Sequence, residues 1–281
     1  MNRARTIRVF WYAINTLLIV SFLAILYGAA WEFSTENYLR GFADAIIPAT
    51  DNPEQKTEAI LVWISNGPAR RSTSNPASLS LRDPADTLNF QQLLQVCGTA
   101  TNAFLNLAQS SGMHARRLLL LSKDSLSKHV VAEVLIEDRW IVVDPAYHTV
   151  FHLPDGRLAT RTDLEDPDNF RAVTRMIPNY PQNYTYEFTA HIRLERIPII
   201  GRYLRPIFDM IWPSWEESFN WTLLVERESF AVLWVSIVLF FMILAVRFLF
   251  RWYCSSRLGI SHDRVRDHAV RVGQVLARIP Q

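Results

Sequence analysis

Cysteine is nearly absent: the 281 residues contain only Cys97 and Cys254. A disulfide framework, the usual staple of a small secreted domain, is therefore limited to one bridge at most. Glycine is sparse as well, at nine, and no Gly-rich phosphate loop occurs. No acidic loop has the spacing of a calcium hand, so calcium dependence is not implied. Charge is missing from Val9 to Trp31, a run of 23 residues, and from Ser229 to Val246, a run of 18 whose apolar pattern continues past Arg247 to Phe250. Each run is long enough, as a helix, to span about 30 Å of hydrocarbon. Trp11, Tyr12, Tyr27, Trp31, Trp252 and Tyr253 stand at their ends, where interfacial aromatics gather. The alternative, a buried helix of a soluble core, would have to hold for both runs.

The formal charge of +2 hides an asymmetry. Residues 1–8 carry three arginines and no acid, residues 247–281 carry +5, and residues 32–228 carry −6. The positive-inside rule then puts both tails in the cytoplasm and the middle outside, which in a bacterium is the periplasm. A cleavable signal peptide is the rival reading of the first run, since Gly28-Ala29-Ala30 resembles a cleavage site. Its apolar region exceeds the usual 7–15 residues, which favours an uncleaved anchor. The expected organisation is a cytoplasmic N-terminus (1–8), a first span (9–31), an external domain (32–191), a juxtamembrane segment (192–228), a second span (229–250) and a basic tail (251–281). In that tail Val265, Ala269, Val272, Val275 and Leu276 predict an amphipathic helix on the inner leaflet or against a cytoplasmic partner. The juxtamembrane stretch mixes Arg, Ile and Phe with Trp212, Trp215 and Trp221, either as interface anchors or as the packed aromatics of a linker.

On this topology the two cysteines sit on opposite sides of a membrane and cannot pair. The external domain then holds one thiol in a compartment that oxidises thiols, either as a small buried hydrophobe or as a reactive group. The pattern around it favours reactivity. Asn52 caps a helix with Pro53 at its first position and Gln55 completing a capping-box-like pattern; Ile60, Leu61, Trp63 and Ile64 follow before Asn66-Gly67-Pro68. A Pro-punctuated polar loop comes next. From Cys97, Ala100, Phe104, Leu107 and Ala108 make one apolar face, and Gly112 ends the run. A thiol at a helix N-terminus meets orphan N–H groups and the positive dipole end, which favour thiolate.

The period then changes to two. "HVVAEVLI" and "RWIVVD" predict an antiparallel hairpin around Glu137-Asp138. A two-residue loop pairs Ile136 with Arg139 and sets His129 diagonal to Asp144 on one face. Val130, Ala132, Val134, Ile136, Ile141 and Val143 cover the other face. A thiolate, an imidazole that activates it and a carboxylate that orients the imidazole are the set needed for acyl transfer, so Cys97, His129 and Asp144 are the candidate catalytic residues. Candidate oxyanion or supporting groups are the Cys97 and Gly98 N–H groups, Gln91, Gln92 and Trp140. Glu133 shares the His129 face, as an arginine's partner or as support. His148 and His152 at i, i+4 fall in loop or strand, where that spacing does not build a metal pair. The acidic middle argues against nucleic acid. No cofactor and no metal are called for.

Cys97 at a helix start, "GMHAR", "HVVAEV" and "RWIVVDPAY" together resemble the transglutaminase-like superfamily. The ordered set of Cys97, His129, Trp140, Asp144 and Pro145 carries the likeness, which runs from about residue 52, with Lys56, Ile60 and Trp63, to about residue 152. Gln95 stands where the family often has Gly, and His114 replaces the Pro of its Gly-x-Pro-Ala-Arg turn. The resemblance implies an α+β, papain-like core with the Cys helix packed on an antiparallel sheet, which the apolar runs place between two transmembrane helices. It also implies thioester acyl chemistry. The expected function is a membrane-anchored peptidase or amidase acting on envelope peptides or proteins, in preference to a cross-linker. The rival is a non-catalytic scaffold or binding module in an envelope or polysaccharide-export assembly, with lipid and other membrane proteins as partners.

Overall fold

The computed structural model describes residues 3–67, 70–72, 75, 78–194, 201–213, 215 and 221–258. The chain divides into two compact units, residues 1–28 with 233–281 and residues 29–232.

In the first unit, the start of helix α1 (Arg3–Ile46) packs on the last part of a helix spanning Glu228–Leu258. The pairings Phe10–Phe250, Arg247 Nε–Asn15 Oδ1 (3.1 Å) and Phe22–Phe240 descend one helix as they ascend the other, so the two run antiparallel. Gly28 permits a close approach: a Cβ there would lie 3.0 Å from the Leu233 Cα. Both helices are long and apolar enough to cross a membrane. They leave Leu17, Ile19, Val20, Leu23, Val235, Val238, Phe241 and Met242 exposed. The tail from residue 259, where the amphipathic helix was expected, lies outside the described residues, as does part of the juxtamembrane stretch.

The second unit is a mixed helix and antiparallel-sheet fold. Helix α1 runs past Trp31, the end of the uncharged run, to Ile46, and Leu39 and Ala43 of this extension are buried in the domain core. Helix α2 (Pro53–Asn66) starts as expected, with Asn52 accepting the Glu54 N–H. Gln55 does not close the capping box on the Asn52 N–H; that N–H reaches Thr50 Oγ1, whose hydroxyl donates to Gln55 Oε1 at 2.9 Å. Two short helices, α3 (Pro84–Asn89) and α4 (Gln91–Leu94), lead to α5 (Cys97–Ser110). Gly112 at φ +82° ends α5, with Met113 N–H returning to the Ala108 carbonyl and Gly112 N–H to Gln109. That is a left-handed terminator only glycine adopts without strain. The Lys56 ammonium donates to the Ser111 carbonyl (3.0 Å), placing a cation at the negative end of the Cys97 helix.

The sheet order is β4–β3–β2–β1–β5, antiparallel throughout, with β1 Ala115–Leu121, β2 Ser127–Ile136, β3 Arg139–Asp144, β4 Thr149–Val150 and β5 Thr189–Ala190. Glu137 and Asp138 form the two-residue turn at φ +48° and +60°, and Ile136 pairs with Arg139 as the spacing predicts. Both turn residues having positive φ matches the right-handed strand twist. One face, with Ala132, Val134, Ile136, Ile141 and Val143, packs on Phe104, Leu107 and Ala108 of α5 and on α2. The other, with Leu118, Leu120, Val131 and Val142, packs on Phe151, Phe170, Tyr180 and Tyr186. Phe170 belongs to α7 (Pro167–Thr174), which follows α6 (Arg161–Glu165). Helix α8 (Gly201–Ile211) leads towards α9 (Trp221–Glu226) and α10 (Glu228–Leu258). Trp215 separates the two readings of the juxtamembrane aromatics. It is 2% exposed, its indole N–H donates to Asp209 and its ring meets Phe208 and Trp221, so it is packed inside protein and is no interface anchor.

Candidate active site

Helix α5 begins at Cys97 because Val96 is the last extended residue (φ −104°, ψ 128°) and the Ala100 N–H closes the first turn on the Val96 carbonyl. Buried Thr101 ties the helix to β2, its hydroxyl donating to the Val130 carbonyl at 3.0 Å. That bond brings the half-buried Cys97 Sγ to the start of β2, beside His129 and the Val130 and Gly98 backbone. The His129 imidazole, 2% exposed, makes a 2.7 Å hydrogen bond through Nε2 to Asp144 Oδ2. This leaves Nδ1 as the ring nitrogen for Cys97.

Asp144 is completely buried and accepts through both oxygens. Oδ1 takes the Ala146 and Tyr147 N–H groups (3.1 and 3.3 Å), so the Asp-Pro turn orients the carboxylate. Oδ2 takes His129 and the Tyr180 hydroxyl, the latter at 2.9 Å. Four donors thus hold one carboxylate in place, as a buried charge requires.

The electrostatics follow from this geometry. The hydrogen bond from His129 lowers the Cys97 thiol pKa, against the opposing effect of burial, and the imidazole charge and the Val130 and Gly98 N–H groups add to the lowering. For His129, burial by itself would depress the pKa. The hydrogen bonds and charges of Asp144 and Cys97 outweigh it and raise the pKa to about 9. A depressed thiol beside a raised imidazole favours the thiolate–imidazolium form of the pair.

The remaining candidates separate. Of the oxyanion candidates, Gly98 touches the sulfur. Gln91 is exposed and its carbonyl accepts from Arg70 Nη1 (3.3 Å), while the Gln92 amide donates to Ser72 Oγ (2.8 Å). Trp140 lies under the Arg116 guanidinium, 4.0 Å from ring centroid to Cζ, and Arg116 in turn pairs with buried Glu133 at 2.7 Å. Glu133 also meets His191 at 3.0 Å and belongs to this ion cluster. His148 sits in the turn after Asp144 at φ +53° and His152 bridges to Leu158, on separate structural features.

Sequence reasoning missed the tyrosines. Tyr184 stacks flat on the His129 ring (centroids 4.6 Å, 11° between planes) and Tyr147 meets it edge-on at 5.9 Å. Tyr180 touches Tyr147 and Tyr184 and reaches Asp144. The available signal was "NYPQNYTYEF", three tyrosines in seven residues of an otherwise polar segment.

Residues 40–145 match the family model of the transglutaminase-like superfamily. The chain therefore carries a transglutaminase-like domain over that range, in a superfamily whose activity is generally cysteine-based. Cys97, His129 and Asp144 lie inside the matched segment; Tyr147, Tyr180 and Tyr184 lie beyond it. No curated protein and no solved structure matches the chain.

Proposed function

We propose that this protein is a membrane-anchored cysteine hydrolase that acts on amide or ester acyl groups of envelope peptides or proteins. The observation that carries the proposal is the line Cys97–His129–Asp144, with its carboxylate buried and held by four donors. The Cys97 thiolate attacks the acyl carbonyl, and the positive end of α5 faces the oxyanion that forms. His129 gives its Nδ1 proton to the leaving amine or alkoxide, leaving a thioester on Cys97. The neutral imidazole then takes a proton from water, hydroxide adds to the thioester, and the thiolate leaves with His129 protonated again. Asp144 holds Nε2 and fixes the ring throughout. Water is the simplest acyl acceptor for this set.

The anchoring part rests on two antiparallel helices that expose apolar side chains along their lengths, a surface suited to hydrocarbon. The arginine-rich tails support a topology with both ends in the cytoplasm and residues 32–228, with the site, on the outer face. The test uses p-nitrophenyl acetate with the detergent-solubilised full chain. The expected result is a burst of one nitrophenol per chain, an acetyl group on Cys97 by mass, and loss of both in Cys97→Ala. Wild-type protein that never acylates would transfer the weight to the scaffold reading.

A further inference from the structure

We propose that Tyr184 is a positioning residue, its ring face holding the imidazolium of His129 in line between Cys97 and Asp144. The inference rests on the catalytic reading above. The two rings are nearly parallel at 4.6 Å, a stacking contact distinct from the edge-on approach of Tyr147. A π face attracts a cation, and more strongly where water is excluded; His129 is 2% exposed. The groups facing the imidazole are Asp144 from the end of β3, Cys97 from α5, Tyr147 from the turn after Asp144, and Tyr184 from the segment before β5. Asp144 and Cys97 fix the two ring nitrogens. Neither stops the ring from tilting about the line that joins them; Tyr184 does, by covering one flat side.

The segment that brings Tyr184 there is built to stay. Tyr186, two residues on, is completely buried against Phe170, and Tyr180, four residues before, donates to Asp144 at 2.9 Å. Thr189 and Ala190 then pair with Leu120 and Leu119 of β1. A half-exposed tyrosine between two buried ones is held against the ring from both sides.

The test needs no substrate. The pH midpoint of the Cys97 thiolate is read from iodoacetamide alkylation rates on the full chain in detergent, for wild type, Tyr184→Phe and Tyr184→Leu, with Tyr184→Met as a second aliphatic variant should the leucine variant fail to fold. Phe keeps the ring face and is expected within about 0.3 pH unit of wild type; Leu or Met is expected to raise the midpoint by about one unit, the size of a partly buried cation–π contact. An aliphatic variant that titrates like wild type overturns the inference and leaves the catalytic reading standing. A phenylalanine variant that shifts as far as leucine also overturns it, because the hydroxyl and not the face would then be responsible. A wild-type thiol with an ordinary midpoint near 8.5 overturns the catalytic reading and this inference with it.

Discussion

Asp144→Asn is the substitution that tests the electrostatics most directly, because it preserves shape and removes one charge. In the wild type, both carboxylate oxygens act only as acceptors, two donors on each. An asparagine amide has one accepting oxygen and one donating nitrogen. If the oxygen stays on the Ala146 and Tyr147 N–H groups, the NH2 points at His129 Nε2 and forces the proton onto Nδ1, where it blocks uptake from the thiol. If the amide flips, its NH2 faces two buried N–H donors, an arrangement that costs about 1–3 kcal/mol. The first arrangement is preferred and gives the wrong tautomer. Loss of the carboxylate also leaves burial as the dominant influence on His129, which falls from about 9 towards or below its ordinary 6.5. A drop of about 2.5 units corresponds to about 3 kcal/mol of lost imidazolium stabilisation, an upper bound since Cys97 supplies part of it. Alkylation by iodoacetamide reads the outcome. At pH 6 the wild type should react through its thiolate, and Asp144→Asn should react at least tenfold more slowly, its rate recovering only above about pH 8. An Asn variant that alkylates at the wild-type rate at pH 6 would refute the assignment of Asp144 as the source of the imidazolium.

Other expectations follow from the same contacts. Gly112→Ala places a Cβ at φ +82° in the α5 terminator and should lower the stability of the domain by about 1 kcal/mol, read from the thermal midpoint. Arg227 is 2% exposed and pairs with Glu32 (2.7 Å), Glu36 (2.6 Å) and Asn106 (3.0 Å). Arg227→Ala strands those carboxylates and should cost about 3 kcal/mol, the low end for a broken buried pair because Glu36 is partly exposed; chemical denaturation measures it. Replacing Glu137-Asp138 by Asn-Gly relieves two left-handed non-glycine residues and should raise the thermal midpoint by a few degrees. The Cys97–His129 pair predicts two opposing pH dependences of stability. The raised His129 pKa contributes stability that is complete below 6.5 and lost as pH rises through about 9, whereas the lowered Cys97 pKa contributes stability that is complete above 9.0 and lost as pH falls through its folded value. Between 6.5 and 9 the two contributions therefore slope in opposite directions and offset each other; thermal midpoints from pH 5 to 10, compared with Cys97→Ala, check it.

Much of the fold was legible because its signals are local. The α2 cap at Asn52, the α5 terminator at Gly112 and the turn at Glu137-Asp138 each depend on a few adjacent residues, and the structure places them as their spacing predicts. The end of the first long helix was not legible. Charge returns at Glu32, which looks like a boundary, yet α1 continues because Leu39 and Ala43 find core partners in residues far along the chain. Tertiary burial overrides composition there. Glu32 and Glu36 are part of the same lesson: both meet buried Arg227, nearly two hundred residues away, so an apparent return to solvent is an ionic contact inside the domain.

The site divides in the same way. Strand parity alone puts His129 and Asp144 on one face, because the side-chain period of two leaves no freedom once the turn length is set. The placement of Cys97 needs one more fact, the packing of α5 across the sheet, which the apolar face of that helix supplies. The tyrosines needed something no local rule contains. Tyr184 is polar at one end, half-exposed and in irregular backbone, and nothing in its neighbourhood fixes a period from which a direction could be read. Its position is set instead by Tyr186 filling the second core and by Thr189 and Ala190 adding to the free edge of β1, contacts made with strands some seventy residues earlier. A side chain placed by long-range pairing of its neighbours is invisible to spacing, even when it lies against the residue that spacing located best.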